Sequence, residues 1–163
     1  MVPLNEHRNV FLSLGVISIF SDIKDIVGII DFLPDATFVI DLSGQVIVWN
    51  RAAEEMTGVK CEDILGKGNY EYALPFYGVR RPILIDLVLR PDQEYEKQYV
   101  SFSREGNTII GENNCPELES GGMLVWAKAS CLYDEQGRLC GAIESVRNIT
   151  GRKVVEVNKP REL

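Results

Sequence analysis

Apolar positions along this chain follow two periods, and the change from one to the other lays out its elements. Between residues 10 and 30, Leu12, Val16, Phe20, Ile23, Val27 and Ile30 recur in steps of four and three. That spacing puts them on one stripe of a helix, close to a coiled-coil seam. The stripe suits a helix packed on its own domain or one paired with a second copy. Pro34 ends it. Residues 37–41 and 45–49 are β-rich, and the Asp-Leu-Ser-Gly run at 41–44 carries a hairpin-turn signal. Asn50 then caps a helix over 51–57, which Gly58 closes. A shorter helix follows around residues 62–65.

Residues 70–78 form a loop dense in aromatics. Pro82 stands where a first helical turn tolerates it, and residues 83–89 are apolar apart from Asp86. This predicts a helix over 82–89 that is buried on more than one side. Pro91 stops it. Strand signals return at 99–103, 108–113, 123–133 and 138–147, with a second Asp-x-x-Gly turn at 134–137. No long crossover helix precedes the last hairpin, so the sheet is mainly antiparallel and the class is α+β. In the last strand Ala142, Glu144 and Val146 share one face, and Ile143, Ser145 and Arg147 the other. Asn148 or Thr150 then starts a helix that leaves with Arg152 and Lys153. A core strand feeding directly into an outgoing helix suits a transmitter of conformational change better than a catalyst.

Composition narrows the picture. The 163 residues suffice for one domain with a real core. Lys and Arg number 17 against 24 Asp and Glu, giving a net charge of −7. That balance, with no basic stripe, leads to the expectation of no nucleic-acid partner. Cys61, Cys115, Cys131 and Cys140 form no CxxC pair, and His7 is the single histidine, so a metal site is not expected. Reduced thiols in the cytoplasm are the better reading of the cysteines. The apolar run 10–20 is too short to cross a bilayer, which takes about 20 residues. No phosphate loop, histidine dyad or nucleophile elbow is present.

Four segments together resemble the PAS sensor family, over roughly residues 26–153. Residues 40–54 resemble its opening hairpin and first helix. Thr57-Gly58 and Ile64-Leu65-Gly66 resemble its next helix. Residues 129–134 and 141–144 resemble its last hairpin, and Asn148-Ile149-Thr150 its Asp-Ile-Thr signalling triplet. The triplet departs from the pattern in starting with Asn, which keeps the hydrogen-bonding shape and loses the charge. Cys131 stands where this subtype tends to have Pro.

The resemblance implies a five-stranded antiparallel sheet with short helices and one longer buried helix over one face, enclosing a cavity. It divides the chain into a flanking helix at 1–25, the sensor at 26–150, and the start of a signalling helix or linker at 151–163. It implies a cytoplasmic, non-catalytic sensory domain, often a homodimer. Such a domain binds a small ligand or cofactor and moves an output module, such as the histidine kinase of a two-component system. The other reading is a ligand-free dimerisation module. The cofactor stays open. The helix over 82–89 lacks the histidine that would hold heme, and no flavin-type cysteine core surrounds Cys61. The candidate ligand contacts are Tyr70, Tyr72, Phe76, Tyr77, Arg80, Arg81, Leu84, Val88 and Trp126; the candidate transmission residues are Arg147, Asn148 and Thr150. Cys131 and Cys140 would face each other if the 134–137 turn closed directly. A bulge at Gly137 slips the register and separates them, and this is the expected form.

Overall fold

The computed structural model describes residues 23–151. The first half of the N-terminal stripe and the segment from Arg152 lie outside the described residues. Helix α1 (Ile23–Asp31) leads into strands β1 (Ala36–Asp41) and β2 (Val46–Trp49). Helices α2 (Arg51–Thr57), α3 (Cys61–Ile64), a 3-10 turn at Glu71–Ala73, α4 (Leu74–Tyr77), α5 (Leu84–Leu89) and α6 (Gln93–Glu96) follow. Strands β3 (Ser101–Glu105), β4 (Thr108–Cys115), β5 (Met123–Tyr133) and β6 (Leu139–Asn148) complete the sheet.

All six strands join one antiparallel sheet in the order β2-β1-β6-β5-β4-β3. This corrects the expected five. The extra strand is the edge strand β3, which pairs with β4 from Ser101↔Glu112 to Glu105↔Thr108. Strand signals stand at 99–103, 108–113, 123–133 and 138–147, and counting that last group as three strands gives the same five that the resemblance implies. Strand β6 lies between β1 and β5, at the centre of the sheet.

The two Asp-x-x-Gly turns are built alike. Asp41 Oδ1 accepts from Ser43 N at 2.9 Å and Gln45 N at 3.0 Å. Asp134 Oδ1 accepts from Gln136 N and Arg138 N, both at 2.9 Å. Such side-chain bonds fix the turn from within. Gly137 has φ +75°, and the register shifts so that Cys131 pairs with Ala142 rather than Cys140. The cysteines therefore do not oppose each other.

Asn50 does more than cap α2. Its Oδ1 accepts from Ala53 N at 2.9 Å and from Thr37 N at 2.8 Å. Its Nδ2 donates to Ile30 O and Asp35 O, both at 3.0 Å. Every hydrogen bond an amide can make is used, on a residue only 1% exposed. One side chain thus ties α1, β1 and α2 together.

Helix α5 begins at Leu84, two residues later than expected, because Ile83 still has extended backbone. Leu84, Ile85, Leu87 and Val88 are all buried, as a helix apolar on most sides requires. It packs on β4, β5 and β6, against the face carrying Ile109, Val125, Ala127, Ala129, Ala142 and Val146.

Candidate functional site

A cleft of about 390 Å³ opens beside α5. One wall is the β1–β2 turn at Leu42, Ser43 and Gly44; another is Asn69 and Tyr70; the third is Leu89 and Asp92 with the residues between them. Asn69 and Tyr70 are consecutive non-glycine residues with left-handed backbone, at φ +52° and +55°. Such conformations are uncommon and concentrate at functional sites. Tyr70 meets Tyr72 edge-on, with ring centroids 6.4 Å apart.

Asp86 forms the polar floor. Tyr72 Oη donates to its Oδ1 at 2.6 Å, and Ile83 N donates to its Oδ2 at 2.9 Å. Burial raises the carboxyl above its ordinary range, while these two bonds act in the opposite direction. Asp86 was visible in the sequence as the single charge in an apolar helix, but its place in a site was not.

The expected ligand contacts divide among several environments. Tyr70 and Tyr72 line the cleft. Phe76 and Leu84 are core residues, with Phe76 packed on Phe38 at a centroid distance of 6.4 Å. Val88 is buried, and its carbonyl accepts from Cys131 Sγ at 3.6 Å. Arg80 pairs with Glu71. Arg81 lies over the Tyr77 ring at 4.7 Å and the Tyr95 ring at 5.2 Å, with its Nη2 buried and without a hydrogen-bond partner. Tyr77 Oη accepts from Asn113 Nδ2 at 3.3 Å. Trp126 sits on the opposite face of the sheet from α5, under the Arg147 guanidinium at 5.6 Å. The structure thus brings two of the nine residues to the cleft.

The exit from the sheet is held by polar contacts. Arg147 grips Asp35 through two hydrogen bonds, at 3.0 and 2.6 Å. Asn148 Oδ1 accepts from Thr150 N at 2.9 Å, and Thr150 Oγ1 accepts from Leu124 N at 3.0 Å. The triplet is therefore pinned to the start of β5.

Sequence reasoning placed Glu144 on a face with Ala142 and Val146 without giving it a role. It is 4% exposed, and its Oε2 accepts from the backbone N–H of Ile85 at 2.8 Å. Burial pushes its carboxyl up to about 8, with the neighbouring Asp86 adding to the effect. An acid in a period-2 core pattern was the signal that could have found it.

The fold has solved counterparts. A PAS domain from Colwellia psychrerythraea superposes with TM-score 0.54 at 21% identity, covering 80% of this chain and 98% of that one. The PAS domain of Bordetella pertussis BvgS gives 0.53 at 16%, covering 86% and 100%. VqmA of Vibrio cholerae, solved as a complex with ligand and DNA, gives 0.51 at 16%, covering 86% of this chain and 60% of that one. That neighbour overturns the expectation of no nucleic-acid partner. A fold of this kind occurs in a protein solved on DNA, and the net charge of one chain does not describe the surfaces of a whole assembly. The chain matches no curated protein sequence. No helix among the described residues is long and apolar enough to cross a membrane. The family model described as PAS fold matches residues 24–149, most of the chain, and the protein belongs to the PAS family.

Proposed function

We propose that this PAS domain binds a small polar molecule in the α5 cleft and passes the resulting movement to an output module such as a histidine kinase. One observation carries this reading. Adjacent residues of α5 face the cleft and the exit strand: Asp86 floors the cleft, and the Ile85 N–H is bonded to Glu144 on β6. Any rotation of α5 that follows from filling the cleft acts on β6, whose end runs through Arg147, Asn148 and Thr150. The cleft's volume falls within the range of ligand sites, about 300–1,000 Å³. VqmA, solved with a ligand, supports small-molecule binding by the fold.

The sensory unit is residues 26–150, between a flanking segment at 1–25 and a linker from 151. Free cysteines at all four positions suit a reducing compartment such as the cytoplasm. Homodimer formation would use Ile26, Ile29 and Phe32 of the α1 region, which are exposed by 39%, 65% and 92%. Val27 and Ile30, from the expected stripe, border a crevice shared with Trp49 and Asn50 of the same domain.

The ligand-free dimerisation module remains the second reading. It is favoured by the core side of α5, where Tyr72, Phe76 and Leu84 fill the space against the sheet. Native mass spectrometry of the purified protein separates the two. A co-purifying small molecule that is lost in Tyr70→Ala supports sensing. A stable dimer with no adduct, and no thermal shift across a metabolite library, supports the module.

A further inference from the structure

The cleft holds charges of both signs, and the Arg90 charge acts on the Asp86 carboxylate through space, without a hydrogen bond between them. Asp86 and Asp92 line it, and so does Arg90. Among the described residues the Arg90 guanidinium has no hydrogen bond or ion pair, although two carboxylates share its cleft. Asp92 spends one oxygen on Glu94 N at 3.0 Å. Asp86 uses each oxygen once, and a carboxylate oxygen can accept twice.

Three ligand chemistries can be weighed against this set. A simple anion would meet Arg90 and also two carboxylates. A simple cation would meet the carboxylates and also the exposed Arg90 guanidinium, which is bonded to neither of them. A molecule with one positive and one negative group satisfies both, while Tyr70, Ile40 and Leu89 offer aromatic and aliphatic surface to its remainder.

Resting on the sensing reading above, we infer that the cleft takes a small dipolar molecule of the free amino-acid class, its carboxylate on Arg90 and its ammonium on the Asp86 and Asp92 side. Arginine suits the carboxylate end, because its planar fork matches two carboxylate oxygens.

The test is calorimetry and thermal-shift titration of the whole chain with the twenty standard free L-amino acids. For the best binder, the matching amine without the carboxylate and the matching acid without the amine are added. The expected result is binding by one or a few amino acids, with both truncated analogues at least tenfold weaker. Arg90→Gln should weaken the amino acid at least tenfold and bring its affinity to that of the amine. The unliganded melting curve of this variant checks that it folds. Equal binding by an analogue, an unaffected Arg90→Gln, or no binding across the panel overturns the inference. A ligand of another class that co-purifies and disappears in Tyr70→Ala would sink the dipolar class and leave sensing intact. Absence of any ligand would remove both.

Discussion

Glu144, in the central strand of the sheet, accepts a hydrogen bond from the backbone N–H of Ile85 at 2.8 Å. The contact spans 59 residues of sequence and joins the helix beside the cleft to strand β6 at the centre of the sheet. A buried acid in that position also makes stability depend on pH.

In the folded chain Glu144 stays protonated up to about 8, against 4.5 for an ordinary glutamate. Between those values the folded state holds more protons than the unfolded state, so stability falls as pH rises through the window. The slope is at most about 1.4 kcal/mol per pH unit. The contribution is fully present below 4.5 and lost above about 8. Glu144→Gln cannot ionise and should lack this slope. Urea unfolding of both proteins from pH 5 to 8 reads the difference directly, and parallel curves would refute it.

Tyr72→Phe should destabilise the protein by about 1–3 kcal/mol, since it leaves Asp86 with one hydrogen bond fewer at a partly buried carboxylate. The denaturant midpoint should drop with no change in the slope of the transition. Loss of that donor also pushes the Asp86 carboxyl further up. An NMR titration of its side-chain carbon checks the direction.

Asn50→Ala should cost about 2–4 kcal/mol. It removes a helix cap, orphans the buried amide of Thr37 and takes one of two donors from each of the Ile30 and Asp35 carbonyls. Hydrogen exchange should show the Ala53 and Thr37 amides losing protection together. Loss confined to α2 would mean that the link to β1 is weak.

Two glycines predict opposite outcomes. A Cβ at Gly141 would lie 2.3 Å from the Ile40 carbonyl oxygen, a backbone atom that cannot swing away. Gly141→Ala should therefore cost at least about 1–3 kcal/mol, the usual range for overpacking. Gly28 sits inside α1 with nothing near its missing Cβ. Gly28→Ala should stabilise by about 0.5–1 kcal/mol. Thermal melts of the pair settle both signs.

Local chemistry alone determined much of this molecule. The Asp-x-x-Gly runs at 41–44 and 134–137 carry their own hydrogen bonds, so both hairpins could be placed from four residues each. The Asn50 cap and the Gly58 stop bound α2, and alternation put Ala142, Glu144 and Val146 on the core face of β6. These signals act over a few residues of chain, where bonding and steric rules need no distant partner. Only the tertiary structure decided where the cleft lies, that Trp126 faces Arg147 across the far side of the sheet, that Arg80 finds Glu71 while Arg81 settles on two tyrosines, and that Glu144 meets Ile85. Each depends on which surfaces come together when the sheet closes over α5, and a side chain's partner tens of residues away is fixed by packing, which periodicity does not encode.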